Sequence, residues 1–110
     1  MNFGKALEIV KNGGMIHRTG WNGKDLFVFA QVPADINKEI VPKMQSLPGL
    51  VKSEFERRFI DPNYQIDAIY YSNQLALVNN SNMITGWSPS TSDALAEDWE
   101  IYHQLTSDSQ

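Results

Sequence analysis

The run Leu26-Phe27-Val28-Phe29-Ala30 constrains this chain more than any other feature. It reads as a strand from Leu26 to Val32, ended by Pro33, and it is apolar on both faces. A chain of 110 residues carries one core of modest size. A single sheet in so small a protein normally keeps one face wet, so a strand apolar on both sides calls for a second covering layer. The chain's own helices or a second copy can supply it, and self-association is one expectation. No disulfide or thiolate zinc site can contribute, because the chain has no cysteine. That absence suits the reducing cytoplasm.

The remaining elements follow from local signals. Asn2 caps a predicted helix through Gly14, with Phe3, Ala6, Leu7 and Val10 on one face and Gly13-Gly14 as its left-handed stop. Met15 to Arg18 reads as a strand, joined to Leu26–Val32 by a hairpin loop that contains Trp21 and an Asn22-Gly23 turn. Asp35 is expected to cap a short turn through Ile36 and Ile40, limited by Pro42. Ser46 is expected to cap a helix from about Pro48 to Phe59. Its apolar side is Val51, Phe55 and Phe59, and Lys52, Glu54, Glu56, Arg57 and Arg58 form a solvent face. The bland reading, a surface helix packed on the sheet, is the favoured one.

Gln65–Tyr71 and Gln74–Val78 read as strands joined by a tight Ser72-Asn73 turn, and Met83–Trp87 as a return strand. Ser90 and Asp93 have the spacing of a capping box, predicted to open a short helix through Asp98. Trp99–His103 is read as a last strand. The expected fold is therefore α+β: a small antiparallel sheet, an N-terminal helix, a central helical insertion and a short C-terminal helix, assembled as a homo-oligomer. Residues 1–103 form the ligand-binding domain and residues 104–110 a polar tail.

Composition narrows the function classes. A net charge of −4 argues against gripping DNA or RNA through the phosphate backbone. No apolar run approaches the roughly 20 residues that span a bilayer, and no apolar segment of a secretory leader follows Met1–Lys5. His17 and His103 stand alone in predicted strands, where packing at a sheet edge explains them better than metal ligation. Gly86-Trp87-Ser88-Pro89-Ser90 is not a nucleophile elbow, and Gly20 and Gly23 do not make a phosphate-cradling loop. Asp93, Glu97 and Asp98 are explained by capping and solvation. No cofactor and no metal are expected.

What remains is binding chemistry. Trp21 lies in a hairpin loop, and Trp87 and Trp99 bracket the predicted C-terminal helix. Taken singly, each tryptophan reads as packing before it reads as a stacking surface, and Trp99 as pure core. Beside Trp21, Arg18, Asn22, the Gly23 backbone and Lys24 can donate to phosphate or ribose oxygens. The N–H groups around Ser90–Ser92 form a second candidate anion site, weakened by the carboxylate of Asp93.

Two signatures carry a resemblance. Met1-Asn2-Phe3-Gly4-Lys5-Ala6-Leu7 with Gly20-Trp21-Asn22-Gly23-Lys24 opens the chain, and Trp87-Ser88-Pro89-Ser90 with Asp93, Leu95, Ala96, Asp98 and Trp99 closes it. In this order they resemble the second-type phage Thoeris anti-defence family, over about residues 1–31 and 64–102 and poorly between. The resemblance implies a homotetramer with pockets formed between subunits. It implies capture of glycocyclic ADP-ribose, in some relatives also cyclic oligonucleotides, within the cytoplasm of the infected bacterial host. It carries ligand-binding roles onto Trp21, Asn22, Lys24, Trp87, Ser90 and Asp93. Tryptophan would stack on the base, Asn22 and Asp93 would meet base or ribose edges, and Arg18 and Lys24 would screen phosphates.

The expected function is therefore a non-catalytic sponge for a cyclic nucleotide-type signal. The alternatives are a hydrolase of such a signal, with Asp93 or Asp98 as base, and a protein-interaction module that blocks a defence enzyme.

Overall fold

A computed structural model describes residues 1–21 and 25–102. Asn22, Gly23, Lys24, His103 and the tail 104–110, all subjects of expectations above, lie outside the described residues. Helix α1 is Phe3–Lys11, followed by strands β1 (Ile16–Arg18), β2 (Phe27–Gln31) and β3 (Ala34–Asn37). A 3-10 turn at Val41–Lys43 precedes helix α2 (Gly49–Ile60). Then come β4 (Ala68–Tyr71), β5 (Gln74–Val78), β6 (Ile84–Gly86), helix α3 (Thr91–Leu95) and β7 (Trp99–Ile101). The α+β class and the antiparallel sheet are as expected. The chain divides into two compact units, one formed by the residues up to Gln31 with those from Asn73 on, the other by Val32–Ser72.

In the first unit, α1 starts and stops on the residues that local chemistry selects. Asn2 Oδ1 accepts from the Lys5 N–H at 2.9 Å. At the other end Gly13 takes φ +92°, with Gly13 N–H donating to Val10 C=O and Gly14 N–H to Ile9 C=O. This is a Schellman closure, which favours glycine at the left-handed position.

The five strands of this unit run in the order β6-β5-β2-β1-β7, every pair antiparallel. Val28 lies inward with Ile16, Ala6, Val10 and Trp99 in one buried cluster. Alternation sends Phe27 and Phe29 to the opposite face. There, with Met15, Val78 and Ile84, they line an open apolar hollow of about 450 Å³. The strand is thus apolar on both sides, as read, and its own α1 covers only one of them.

The second unit corrects the sequence reading. Residues Ala34–Asn37 are a strand, not an Asp35-capped turn, and they pair with β4 in the register Ala34↔Tyr71 to Asn37↔Ala68. Their single half-buried residue, Ile36, faces Ile69; Ala34 and Ile36 do alternate with Asp35 and Asn37, but a run of four with one large apolar side chain is too short to tell a strand from a turn. Consequently β4 does not form a hairpin with β5, which instead pairs with β2 and β6. The insertion is therefore a helix with a two-stranded sheet rather than helical alone.

Helix α2 begins after Pro48, without a side-chain cap from Ser46. Its Val51, Phe55 and Phe59 share one side, as expected, and line a cavity of about 310 Å³ that also meets Tyr70 and Tyr71 of β4. On its polar side Glu54 accepts from both Arg57 and Arg58. Those hydrogen bonds, Arg57's first, hold its carboxyl down at about 2. No described helix is long and apolar enough to cross a membrane.

Candidate functional site

The Arg18–Trp21 turn, the β6–α3 connection and α3 itself bring the chain's two ends together in the first unit. Trp99, the first residue of β7, is fully buried, and its indole Nε1 donates to Asp93 C=O at 2.9 Å. Around it stand Phe3, Trp21 and Trp87, with ring centroids 5.2, 5.4 and 6.0 Å from that of Trp99. Trp21 and Trp87 are themselves 6.4 Å apart, edge to face at 70°. Edge-to-face packing aims the positive rim of one ring at the negative face of the next. Trp99 is core, as expected, and serves as the floor on which the other two rest.

Trp21, Trp87 and Asp93 line one open cavity of about 250 Å³, together with Leu26 and Leu77. The sequence places these residues in three separate segments, and the fold gathers them. Leu77 reaches the site because β5 pairs with β2, and Leu26 because it enters β2; the sequence marks both as strand residues and neither as a site residue.

Ser90 and Asp93 form the expected capping box. Ser90 Oγ accepts from Asp93 N–H and Asp93 Oδ2 from Ser90 N–H, both at 3.0 Å. Of the candidate anion site at Ser90–Ser92, the Ser90 N–H is thus taken by the chain's own carboxylate. Helix α3 stops at Leu95 rather than at Asp98. Ala96 is extended (φ −70°, ψ 151°), and Trp99 N–H pairs with Met1 C=O, so the chain is already leaving the helix.

Arg18 has a different setting from the one expected of a phosphate-screening group. Its Nη1 donates to Asp93 Oδ1 at 3.0 Å and its Nε to Asp98 Oδ1 at 2.8 Å. Any phosphate would have to compete with two carboxylates for it. The pairs keep all three groups ionised. The Arg18 hydrogen bond is the main cause holding Asp98 below its ordinary value. For Asp93 burial pushes upward, but hydrogen bonds from Ser90 and Arg18 outweigh it and the net direction is down. Among the described residues no group of three or more histidines and carboxylates is placed to hold a metal.

Comparison with known proteins bears on this arrangement. A match to the Thoeris anti-defense 2-like domain runs over residues 1–102. The chain belongs to that family. It is 35% identical over 101 residues to Thoeris anti-defense 2 of Bacillus phage SP01, covering 92% of this chain and 93% of that protein. Membership supports an anti-defence role. The family match also continues through residues 32–63, where the two sequence signatures carry no likeness. The insertion therefore belongs to the family domain.

Proposed function

We propose that this chain is a non-catalytic sponge that captures a cyclic nucleotide-type immune signal, glycocyclic ADP-ribose first, and so blocks a bacterial anti-phage defence. The observation that carries this reading is the cavity of Trp21, Trp87 and Asp93, in a chain of the Thoeris anti-defense 2-like family. Two indoles offer surfaces for a nucleobase. Asp93 offers lone pairs to base or ribose donors beside them. Asn22 and Lys24, which follow Trp21 directly in sequence, supply the donors for ribose and phosphate oxygens.

Capture is favoured over hydrolysis by the state of the carboxylates. A general base works best with a pKa near the operating pH. Asp98 is pulled the other way by Arg18 and the Gly20 N–H, and Asp93 by Ser90 and Arg18 against its burial, which makes them weak bases and firm structural anions.

Size supports an assembly. Sites for small molecules usually measure about 300–1,000 Å³, and this cavity, at about 250 Å³, holds only part of a dinucleotide-sized signal. A second subunit completes the wall. The apolar hollow at Phe27, Phe29 and Ile84 gives the chain a reason to self-associate, with the tetramer of the family as the expected state. Calorimetric titration with glycocyclic ADP-ribose tests the reading. Saturable binding with a rise in Tm is expected, and neither effect at high ligand concentration contradicts it.

A further inference from the structure

The segment that delivers Trp21 is held by one residue outside the cavity. Arg18–Trp21 is a turn closed by Trp21 N–H donating to Arg18 C=O at 3.1 Å. Asp98 meets this turn at four points. Its C=O accepts from Thr19 N–H at 3.1 Å. Its Oδ2 accepts from Gly20 N–H at 3.0 Å and from Thr19 Oγ at 3.4 Å. Its Oδ1 accepts from Arg18 Nε. Arg18 then grips Asp93 on the cavity wall, and the residue that follows Asp98 in the chain, Trp99, is the buried floor against which Trp21 packs.

We propose that Asp98 is a positioning residue for the ligand cavity: by holding the Arg18–Gly20 turn it sets the place of Trp21, and through Arg18 that of Asp93. The assignment rests on the capture reading for its functional consequence, though the geometry it describes is independent of any ligand. Its two carboxylate oxygens are divided between tasks that only a carboxylate performs together. One faces a guanidinium, and the other faces a backbone N–H and a hydroxyl. In Asp98→Asn the amide can keep an acceptor toward Gly20, but it then turns its NH2 donor toward the Nε–H of Arg18. The clamp loses one side.

The test uses the full chain and two readouts. One is the indole N–H resonance of Trp21, assigned by Trp21→Phe, and the other is capture of glycocyclic ADP-ribose as probe. Asp98→Asn is expected to move the Trp21 resonance by more than its linewidth while Trp99 stays in place. It is also expected to weaken capture by about tenfold or more, as loss of a supporting hydrogen-bond partner does at other sites. Gly20→Ala perturbs the clamp from the opposite side without changing charge, since a Cβ there would stand 3.0 Å from Asp98 Oδ2. It too is expected to move Trp21, and it decides the matter if Asp98→Asn does not fold. An unmoved Trp21 in both variants overturns the proposal. So does a uniform shift of all three indoles with lowered Tm, which would mean support of the fold alone. If the wild type captures nothing, the sponge reading fails on its own, and the Trp21 resonance still judges the positioning role.

Discussion

Trp21 and Trp87 meet edge to face with their centroids 6.4 Å apart, both resting on the buried ring of Trp99 and both lining the cavity that Asp93 shares. One comes from the first hairpin and the other from the connection between β6 and the last helix. Their meeting turns three scattered tryptophans into a site.

Removing either half-buried ring should weaken capture without unfolding the chain. Stacking contributes about 1–3 kcal/mol per base, so Trp21→Ala or Trp87→Ala is expected to raise Kd for glycocyclic ADP-ribose by about 5- to 150-fold. Calorimetric titration of each variant reads this directly, with circular dichroism showing that the fold is kept.

Trp99 should behave differently. It is fully buried and donates to Asp93 C=O, so Trp99→Ala creates a cavity and orphans an acceptor. Loss of about 3–5 kcal/mol is expected. Denaturant titration measures it. A variant that keeps its stability but loses only ligand would show Trp99 to be a ligand contact instead.

Acid should loosen both units. Asp98, Asp93 and Glu54 all have folded values depressed below the ordinary carboxylate range, Glu54 to about 2. The folded state therefore binds fewer protons than the unfolded chain. Their contribution is complete above the unfolded values and is lost as pH falls through the folded ones. Tm should decline below about pH 4, where unfolded carboxyls begin to bind protons. Asp98→Asn and Glu54→Gln should each make that decline shallower. An unchanged slope in both variants would contradict the assignment.

The end of α1 offers a backbone test. A Cβ on Gly14 would lie 2.5 Å from Ile9 Cγ2 and 3.1 Å from Ile9 C=O. Gly14→Ala is expected to cost about 1–3 kcal/mol by overpacking. Gly13→Ala should cost about 1–2 kcal/mol, for its left-handed φ alone. Thermal unfolding of the two variants gives the order.

What the sequence made legible was local. The Asn2 cap, the Gly13-Gly14 stop and the Ser90–Asp93 box each depend on residues within a few positions of one another, and each stands as read. The doubly apolar β2 was legible because it needs no partner to be recognised. Strand pairing was not. Proximity along the chain assigns Gln65–Tyr71 to Gln74–Val78, whereas Ala68–Tyr71 pairs with β3, whose four residues are too short a run to announce a strand. The site was legible as residue types only. Trp21, Trp87 and Asp93 were named, but their convergence, and Arg18's capture by two acids, depend on contacts such as Arg18–Asp98 that span 80 positions.

The most direct test of the central claim is capture and release. The purified protein is incubated with glycocyclic ADP-ribose, free ligand is removed, and the protein is heated and the supernatant chromatographed. Capture without chemistry requires that the ligand disappear from solution and return intact on heating. Ligand that is never depleted, or that returns cleaved, would contradict it.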